Sequence, residues 1–170
     1  TDKKVFLHVG HLKEDRNLSP LINLKKKFKD SEILVVGSTT TKTSSNIVNL
    51  LRVNGCTVLT GYQDQIEELY QLSDYYIFPT ISEKAAIHMP LSILESLSCN
   101  IPVVTTNFGD IDNILDDTKL VRYFNNVDEF DSEYDLKEDD FNNNQLMIAK
   151  FDWKTIADQL KILFTELSKK

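Results

Sequence analysis

The sequence predicts a doubly wound α/β domain, with a mostly parallel sheet of about six strands and helices on both faces. Short apolar, β-branched segments alternate about five times with segments of helical periodicity. Parallel strands are joined by crossover helices, and these crossovers are almost always right-handed. Alternating strands and helices therefore indicate a parallel sheet with helices on both faces. The length of 170 residues suits one core. We therefore treat residues 1–170 as a single domain.

Six segments have the composition of strands that are buried on both faces of a sheet. They are residues 5–9, 33–36, 57–59, 75–78, 102–105 and 120–123. The segments between them space their apolar residues as amphipathic helices do. These helices are predicted over residues 18–28, 44–53, 66–72, 90–99 and, with a weaker pattern, 111–115.

The C-terminal part of the chain has a different character. Residues 125–144 are acidic and rich in asparagine, which predicts a surface excursion. A strongly amphipathic helix follows over residues 152–168, with Asp152 as its N-cap. Because its apolar residues form one stripe, we expect this helix to dock on the domain.

The net charge of −7 is unevenly distributed, since residues 1–60 carry ten basic and five acidic side chains. Between Asp110 and Asp140 there are twelve acidic residues against three basic ones, which argues against a broad nucleic-acid-binding face there. The lysines of residues 25–29 favour a solvated helix face over a phosphate or membrane patch. Two cysteines and the lack of a long apolar run indicate a soluble, cytoplasmic protein.

Ligands of open parallel sheets bind beyond the carboxyl ends of the strands, so we examined the loops there. Gly10 follows the first strand, ahead of His11, Lys13 and Arg16. The residues after the second strand argue against a phosphate-binding P-loop, because Thr41 occupies the position of its second glycine. No Gly-x-Gly-x-x-Gly pattern is present, which counts against a nicotinamide or flavin enzyme.

The helix after the fourth strand has the features of an anion site. Pro90 suits its first turn, where a missing N–H breaks no hydrogen bond. The free N–H groups of Leu91 and Ser92 would then point toward the strand ends, with the helix dipole behind them. Glu95, one turn further on, could accept hydrogen bonds from two ribose hydroxyls or could be a solvated surface glutamate. The spacing alone leaves both interpretations open.

Residues 90–106 (PLSILESLSCNIPVVTT), together with residues 74–80 and Glu83, resemble the donor half of group 1 (family 4) retaining glycosyltransferases of GT-B fold. The resemblance extends over nearly the whole chain. Residues 9–12 and Arg16 are similar to the phosphate loop of the family. Residues 35–37 and 59–62 resemble its second strand and a later turn, and residues 151–167 resemble its C-terminal helix. The implied fold is a Rossmann-like half of a GT-B enzyme.

The resemblance implies a role for each matching position. Glu95 would hold the ribose, and Arg16 replaces the family lysine that contacts the donor diphosphate. His11 replaces a neighbouring family arginine, which weakens the expected phosphate clamp unless Lys13 compensates. Gly10 belongs to the predicted phosphate loop, and Leu91 and Ser92 begin the helix that carries Glu95. Gly61 and Tyr62 occupy the turn that usually meets the base in the family.

The largest departure from the family concerns the glutamate that contacts the donor sugar, because Ile87 stands at its usual position. Glu83 could serve as this catalytic-site residue if residues 84–87 are an insertion, which a loop tolerates at small entropic cost. The other reading is that Glu83 is a surface acid and the sugar contact is altered or lost. Asn100 replaces the usual glycine after the helix and tolerates the left-handed conformation expected there.

The resemblance implies an enzyme that transfers a glycosyl group with retention from a nucleotide diphosphate sugar, such as a UDP- or GDP-sugar, to an acceptor hydroxyl. No metal or other cofactor is expected. The acceptor, a sugar or lipid-linked glycan of polysaccharide or glycolipid biosynthesis, would be bound by an N-terminal domain that this chain lacks. The chain alone is then expected to bind donor without transferring it, in the cytoplasm or peripherally at a membrane. The alternative is a degenerate nucleotide-binding or scaffold module on the same fold.

Overall fold

A computed structural model of the protein describes residues 3–115, 118–131 and 136–168. All six predicted strands are confirmed, and they form one sheet in the order β3-β2-β1-β4-β5-β6 with every neighbouring pair parallel. The predicted doubly wound fold class is therefore confirmed. The strands are β1 Val5–Gly10, β2 Glu32–Gly37, β3 Thr57–Thr60, β4 Tyr75–Phe78, β5 Val103–Thr106 and β6 Val121–Phe124.

Helices connect these strands and cover both faces of the sheet. The five helices predicted between residues 18 and 115 are present, with ends shifted by a few residues. The α-helices of the described chain are α1 Ser19–Lys27, α2 Ser45–Val53, α3 Ile66–Gln71, α4 Leu91–Ser98, α5 Ile111–Ile114, α6 Glu138–Ile148 and α7 Trp153–Leu167. Pro90 precedes α4 as its N-cap, one position earlier than predicted.

Two apolar cores lie on opposite faces of the sheet, because successive side chains of a strand point to opposite faces. One core contains Phe6 and Ile77 and is covered by α1 and α2; the other contains Leu7 and Tyr76 and is covered by α4 and α5. The prediction that every strand is buried on both faces is wrong for β3 and β6. These are the edge strands, so their outer parts reach solvent.

The interpretation of residues 125–144 as a surface excursion is also wrong in part, because α6 begins at Glu138; residues 132–135 lie outside the described residues. Asp140 caps this helix by accepting a hydrogen bond from the Lys137 N–H at 3.0 Å, and it lies 2.9 Å from Lys119 Nζ. Asn144 is buried and donates from Nδ2 to the carbonyl oxygen of Leu97 at 2.7 Å. Because buried polar residues hold α6 in place, its sequence lacks the apolar periodicity that predicts a helix.

The C-terminal helix α7 forms where it was predicted, but it does not dock. Asp152 is its N-cap and accepts a hydrogen bond from the Lys154 N–H at 2.8 Å. None of its residues is buried, and Leu160 and Phe164 of the apolar stripe are 47% and 65% exposed. An amphipathic pattern indicates that a helix has an apolar face, but it does not show that the covering surface belongs to the same domain.

Asn100 has a φ of 58°, so the predicted left-handed conformation after α4 is confirmed. Gly109 has a φ of 57° and packs against the segment before α4. A Cβ at Gly109 would lie 2.5 Å from the carbonyl oxygen of His88, and the Asp110 N–H donates to that oxygen at 3.3 Å. The loop after β5 therefore rests directly on the loop that carries Glu83.

Replacing Gly109 with alanine is expected to lower the free energy of unfolding by about 2 kcal/mol, because a left-handed conformation costs an L residue roughly 1 kcal/mol and the collision adds to it. Gly55→Ala is the matched control, since Gly55 has a φ of 83° and its Cβ would meet only the flexible Lys25 side chain at 3.5 Å. Urea denaturation of both variants measures the difference. Equal losses would mean that the loop yields without cost.

Candidate functional site

The strand order places a crevice at the centre of the sheet. β1 and β4 are neighbours there, and the connections from these two strands lead to opposite sides. In such sheets ligands bind beyond the carboxyl ends of the strands at this switch point. Gly10 ends β1, and a Cβ at this position would lie 3.1 Å from His8 Nε2. The predicted phosphate loop therefore begins at the switch point, directly above a buried histidine.

Arg16 is the cation at the centre of this loop. It ends the 3-10 turn Glu14–Arg16, and its side chain is 9% exposed. Its Nη2 donates to His11 Nδ1 at 2.9 Å, and His11 Nε2 lies 2.9 Å from Thr40 Oγ1. Arg16 Nε is buried and has no hydrogen-bond partner among the described residues. Within the part of the chain that the structure describes, the guanidinium is thus held in place by a neutral imidazole and no carboxylate pairs with it.

The hydrogen bonds of His11 fix its protonation state, because a guanidinium nitrogen can only donate. His11 Nδ1 must therefore be an unprotonated acceptor, and Nε2 carries the proton toward Thr40. Burial and the charges of Arg16 and Lys13 all lower the pKa of His11, while Asp15 raises it. In the ligand-free protein the Nε2 donor of His11 is thus directed at Thr40 of the loop after β2, and the phosphate contact expected of His11 stays a prediction.

His8 lies beneath this loop and is also neutral. Its Nδ1 is 2.9 Å from the carbonyl oxygen of Ile77, which can only accept, so Nδ1 is protonated. Its Nε2 is buried and has no partner among the described residues. Burial lowers the pKa of His8 to about 4. The imidazole therefore adds no charge to the site near neutral pH.

A chain of hydroxyl groups connects the loop to α4. The Tyr76 hydroxyl lies 3.1 Å from the carbonyl oxygen of Val9 and 2.7 Å from Ser92 Oγ. The Tyr70 hydroxyl lies 3.3 Å from the carbonyl oxygen of Ser92 and donates to Glu95 Oε2 at 2.7 Å. Burial raises the pKa of both tyrosines, so both remain protonated donors. The first turn of α4 is thereby fixed next to the end of β1.

Glu95 faces a cavity of about 820 Å³ between α3, α4 and the C-terminal segment. Tyr70, Leu91 and Trp153 also line this cavity. Arg16 is not among the lining residues, so the cavity is separate from the phosphate loop. The hydrogen bonds of Tyr76 to Val9 and Ser92 connect the two regions. The charges of Arg16 and Glu95 both act on Tyr76, which lies between them.

The other predicted site residues lie around this centre. Glu83 is exposed on the loop before α4, where His88 pairs with Asp110 at 3.3 Å. Gly61 has a φ of 117°, as a turn after β3 requires, and the adjacent Tyr62 is 77% exposed. The described structure therefore brings the phosphate loop and the start of α4 together, and it leaves Glu83 and Tyr62 as solvent-exposed groups at the margin.

Sequence reasoning did not identify the roles of Tyr70, Tyr76 and Thr40. Tyr76 was treated only as part of an apolar strand. A signal was available, because a buried phenol normally needs a hydrogen-bond partner and Tyr76 lies in the central strand β4. Thr40 gave no comparable signal, since its contact with His11 depends on how two loops meet.

Comparison with known proteins assigns the family. Residues 1–150 match the family model described as "Glycosyl transferases group 1". The chain belongs to this family. It is 24% identical over 117 residues to N-acetyl-alpha-D-glucosaminyl L-malate synthase of Bacillus anthracis, and the match covers 66% of this chain and 30% of the synthase. A glycosyltransferase of Methanocaldococcus jannaschii is 24% identical over 111 residues, which are 62% of this chain and 26% of that protein. The chain matches less than a third of the length of these two relatives.

Solved glycosyltransferase structures share the fold. A glycosyltransferase from Rickettsia africae has a TM-score of 0.79 and 17% identity, over 100% of this chain and 49% of that one. A mutant of TarM from S. aureus, in complex with fondaparinux, alpha-GlcNAc-glycerol and UDP, has a TM-score of 0.54 and 16% identity, over 86% of this chain and 29% of that one. These likenesses show a Rossmann-like α/β domain that corresponds to one half of a GT-B enzyme.

No helix of the described residues is both long and apolar enough to cross a membrane.

Proposed function

We propose that this domain binds the nucleotide diphosphate sugar of a retaining glycosyltransferase. The observation that carries the proposal is the position of Arg16 at the switch point, where its charge acts on Tyr76 and the Tyr76 hydroxyl contacts Ser92 in the first turn of α4. Arg16 forms no ion pair with any residue that the structure describes, so its charge is available to a ligand anion. A guanidinium donates two parallel hydrogen bonds to phosphate, and a helix N-terminus adds to the attraction.

The remaining contacts follow from the order of the groups along the surface. The diphosphate lies over Gly10, Arg16 and the N–H groups of Leu91 and Ser92, with Lys13 nearby. Pro90, the N-cap of α4, makes no side-chain capping bond, which leaves those N–H groups for a ligand. The ribose lies over Glu95, whose second carboxylate oxygen is not used by Tyr70. The base meets the exposed turn of Gly61 and Tyr62, and the sugar lies toward Glu83.

This arrangement suits departure of a diphosphate. The bond between the anomeric carbon and the β-phosphate oxygen breaks, the glycosyl group joins the acceptor oxygen, and the acceptor hydroxyl loses its proton. Negative charge grows on the leaving diphosphate, where Arg16 and the N-terminus of α4 stabilise it. The proposed donor is a UDP- or GDP-sugar, in keeping with the UDP bound to TarM. The scheme uses no metal ion.

We further propose that the acceptor, a sugar or a lipid-linked glycan, is bound by a second, N-terminal domain. The chain covers about half of the Rickettsia africae glycosyltransferase, with 49% of that chain matched. The uncovered stripe of α7, with Leu163 and Phe164 at 49% and 65% exposure, fits packing against such a domain. The chain without it is expected to bind donor and to leave it untransferred.

Calorimetric titration of the 170-residue chain with UDP, GDP and ADP tests the donor site, alongside a thermal-shift series. A ligand that binds only the native state must raise the midpoint of unfolding. Binding of one nucleotide well above the others supports the proposal and identifies the donor base. Binding of none of the three would favour the alternative, a scaffold module that keeps the fold without the ligand.

Replacing Glu95 with alanine is expected to weaken nucleotide binding by about 2 kcal/mol, because a charged hydrogen-bond acceptor for the ribose is lost. Calorimetry with the ribonucleotide and its 2′-deoxy analogue checks the cause. The native chain should discriminate between the two, and Glu95→Ala should discriminate far less. Glu67→Ala is the matched control, since Glu67 lines the same cavity. Preserved discrimination in Glu95→Ala would refute the ribose role.

A further inference from the structure

His11 and Arg16 form an unusual pair for an anion site, because one member has to remain neutral for their hydrogen bond to exist. Arg16 Nη2 donates to His11 Nδ1 at 2.9 Å, and His11 Nε2 is occupied by Thr40 Oγ1 at 2.9 Å. A proton on Nδ1 would remove the acceptor and place two cations side by side. In the ligand-free protein the imidazole is therefore neutral, and its Nδ1 lone pair is directed at the guanidinium.

A bound diphosphate changes this balance. Phosphate oxygens are stronger acceptors for a guanidinium than a neutral imidazole is, so the Arg16 Nη2–H turns to the ligand. The freed Nδ1 then faces an anion, which favours the imidazolium. His11 is partly exposed, so a proton can reach it from water.

We propose that His11 takes up one proton from solvent when the donor diphosphate binds, and that the imidazolium then donates from Nδ1 to the phosphates while Nε2 keeps its bond to Thr40. This inference rests on the proposed function, since it requires a diphosphate at Arg16. No bond of the ligand breaks. One proton adds to Nδ1, and one guanidinium hydrogen bond moves from the imidazole to a phosphate oxygen.

The charged groups around His11 account for both states. Arg16 and Lys13 lower the pKa of His11 in the free protein, and Asp15 raises it. Glu14 lies in the same turn, but its carboxylate accepts a hydrogen bond from the Ser44 hydroxyl at 2.6 Å. From the loop after β2, Thr40 contacts His11 through its hydroxyl. Burial together with these two cations keeps the imidazole neutral, and a diphosphate offsets the charges of the cations.

The sign of the pH dependence follows from proton linkage. The free pKa of His11 is lowered and the bound pKa is raised, so between these two values binding consumes a proton. Affinity should then increase as the pH falls, by at most about tenfold per pH unit for a single proton. A family arginine at this position would bind without such a dependence.

Nucleotide sugars are the appropriate probes, because their diphosphate is a diester and lacks the terminal phosphate that titrates near pH 6, as a monoester does. We would titrate the chain with UDP-glucose, GDP-mannose and ADP-glucose near neutral pH, in two buffers with different ionisation enthalpies. The difference in the observed heat gives the number of protons taken up. The affinity is then measured across the pH range from about 6 to about 8.

Three variants isolate the imidazole. His11→Gln keeps a neutral acceptor for Arg16 and a donor for Thr40 but cannot be protonated, so proton uptake and pH dependence should disappear. His11→Arg carries a permanent charge, and its affinity should be independent of pH and exceed that of the native chain at the alkaline end. His88→Asn removes the exposed histidine that pairs with Asp110 and should leave the uptake intact.

The outcomes separate this inference from the function on which it rests. Proton uptake by the native chain that is lost in His11→Gln supports it. Binding without uptake, or uptake that persists in His11→Gln, overturns the role of His11 and leaves donor binding in place. If none of the three nucleotide sugars binds, and UDP, GDP and ADP do not bind either, the proposed function fails and this inference fails with it.

Discussion

Replacing Arg16 with methionine is expected to weaken nucleotide diphosphate binding about 100-fold, which corresponds to about 3 kcal/mol. Methionine keeps an apolar stem of similar reach, so the change removes chiefly the charge and its donors. The loss is large because Arg16 is 9% exposed and forms no ion pair among the described residues, so its hydrogen bonds to phosphate form in a partly dehydrated site. Calorimetry with the nucleotide that the native chain binds measures the effect.

Two further variants show whether the guanidinium itself matters. Arg16→Lys keeps the charge but loses the planar pair of donors, and we expect it to fall between the native chain and Arg16→Met. Lys13→Met removes a neighbouring cation outside the hydrogen-bonded group and should cost much less. Thermal unfolding must show that each variant is folded. A folded Arg16→Met chain with native affinity would contradict the assignment of the diphosphate site.

The central strands and the connecting helices could be predicted because burial leaves a direct signal in the sequence. β1, β2, β4 and β5 are apolar runs of parallel strands, and the helices between them repeat with the helical period. The signal fails where polar residues carry the packing. α6 is fixed by the buried side chains of Asp140 and Asn144, which a hydropathy pattern counts as surface residues.

The sequence could not show that α7 stays undocked on this domain, for a different reason. Its stripe is as regular as those of the core helices, but the pattern carries no information about which surface covers it. The exposed residues Leu160 and Leu163, at 47% and 49%, show that the described part of this domain does not. An amphipathic pattern predicts that a helix has an interface, but it does not identify the surface that packs against it.

The residues of the candidate site likewise fall into those that the sequence could locate and those that only tertiary contacts define. Gly10 and Arg16 could be located from the sequence, because both follow a strand that ends at the switch point. The state of His11 could not, since it depends on Arg16 and on Thr40, which is 29 positions away. For the two tyrosines that fix the start of α4, the sequence could indicate that a buried phenol needs a hydrogen-bond partner, but not which partner, because the partners come from other elements of the fold. Residue types suggest which groups can bind phosphate, and tertiary contacts decide which of them are available.

His8 should make the domain sensitive to acid. Burial lowers its pKa from 6.5 to about 4, so between these values the unfolded chain binds more protons than the folded one. The contribution of His8 to stability is therefore fully present above about pH 6.5 and falls as the pH decreases toward 4. By proton linkage, the loss between neutral pH and about pH 5 is on the order of 2 kcal/mol, and it approaches about 3 kcal/mol at lower pH.

His8→Leu tests this effect, because leucine has a similar volume and does not titrate. At neutral pH the variant should be less stable by about 1 kcal/mol, since the carbonyl oxygen of Ile77 loses its hydrogen bond. On acidification the native chain should lose this advantage, so the two stabilities should meet between about pH 5.5 and pH 6, and at pH 5 the variant should be the more stable chain. The comparison cancels the carboxylates that both chains share, and His88→Asn controls for an exposed histidine. Parallel pH profiles for native and His8→Leu chains, measured by urea denaturation, would show that the pKa of His8 is the same in the folded and unfolded chains. Profiles that converge and cross would show instead that the imidazole beneath the phosphate loop has to stay neutral in the folded chain. Acid would then weaken the core under the site, whereas protonation of His11 above it favours binding of the donor.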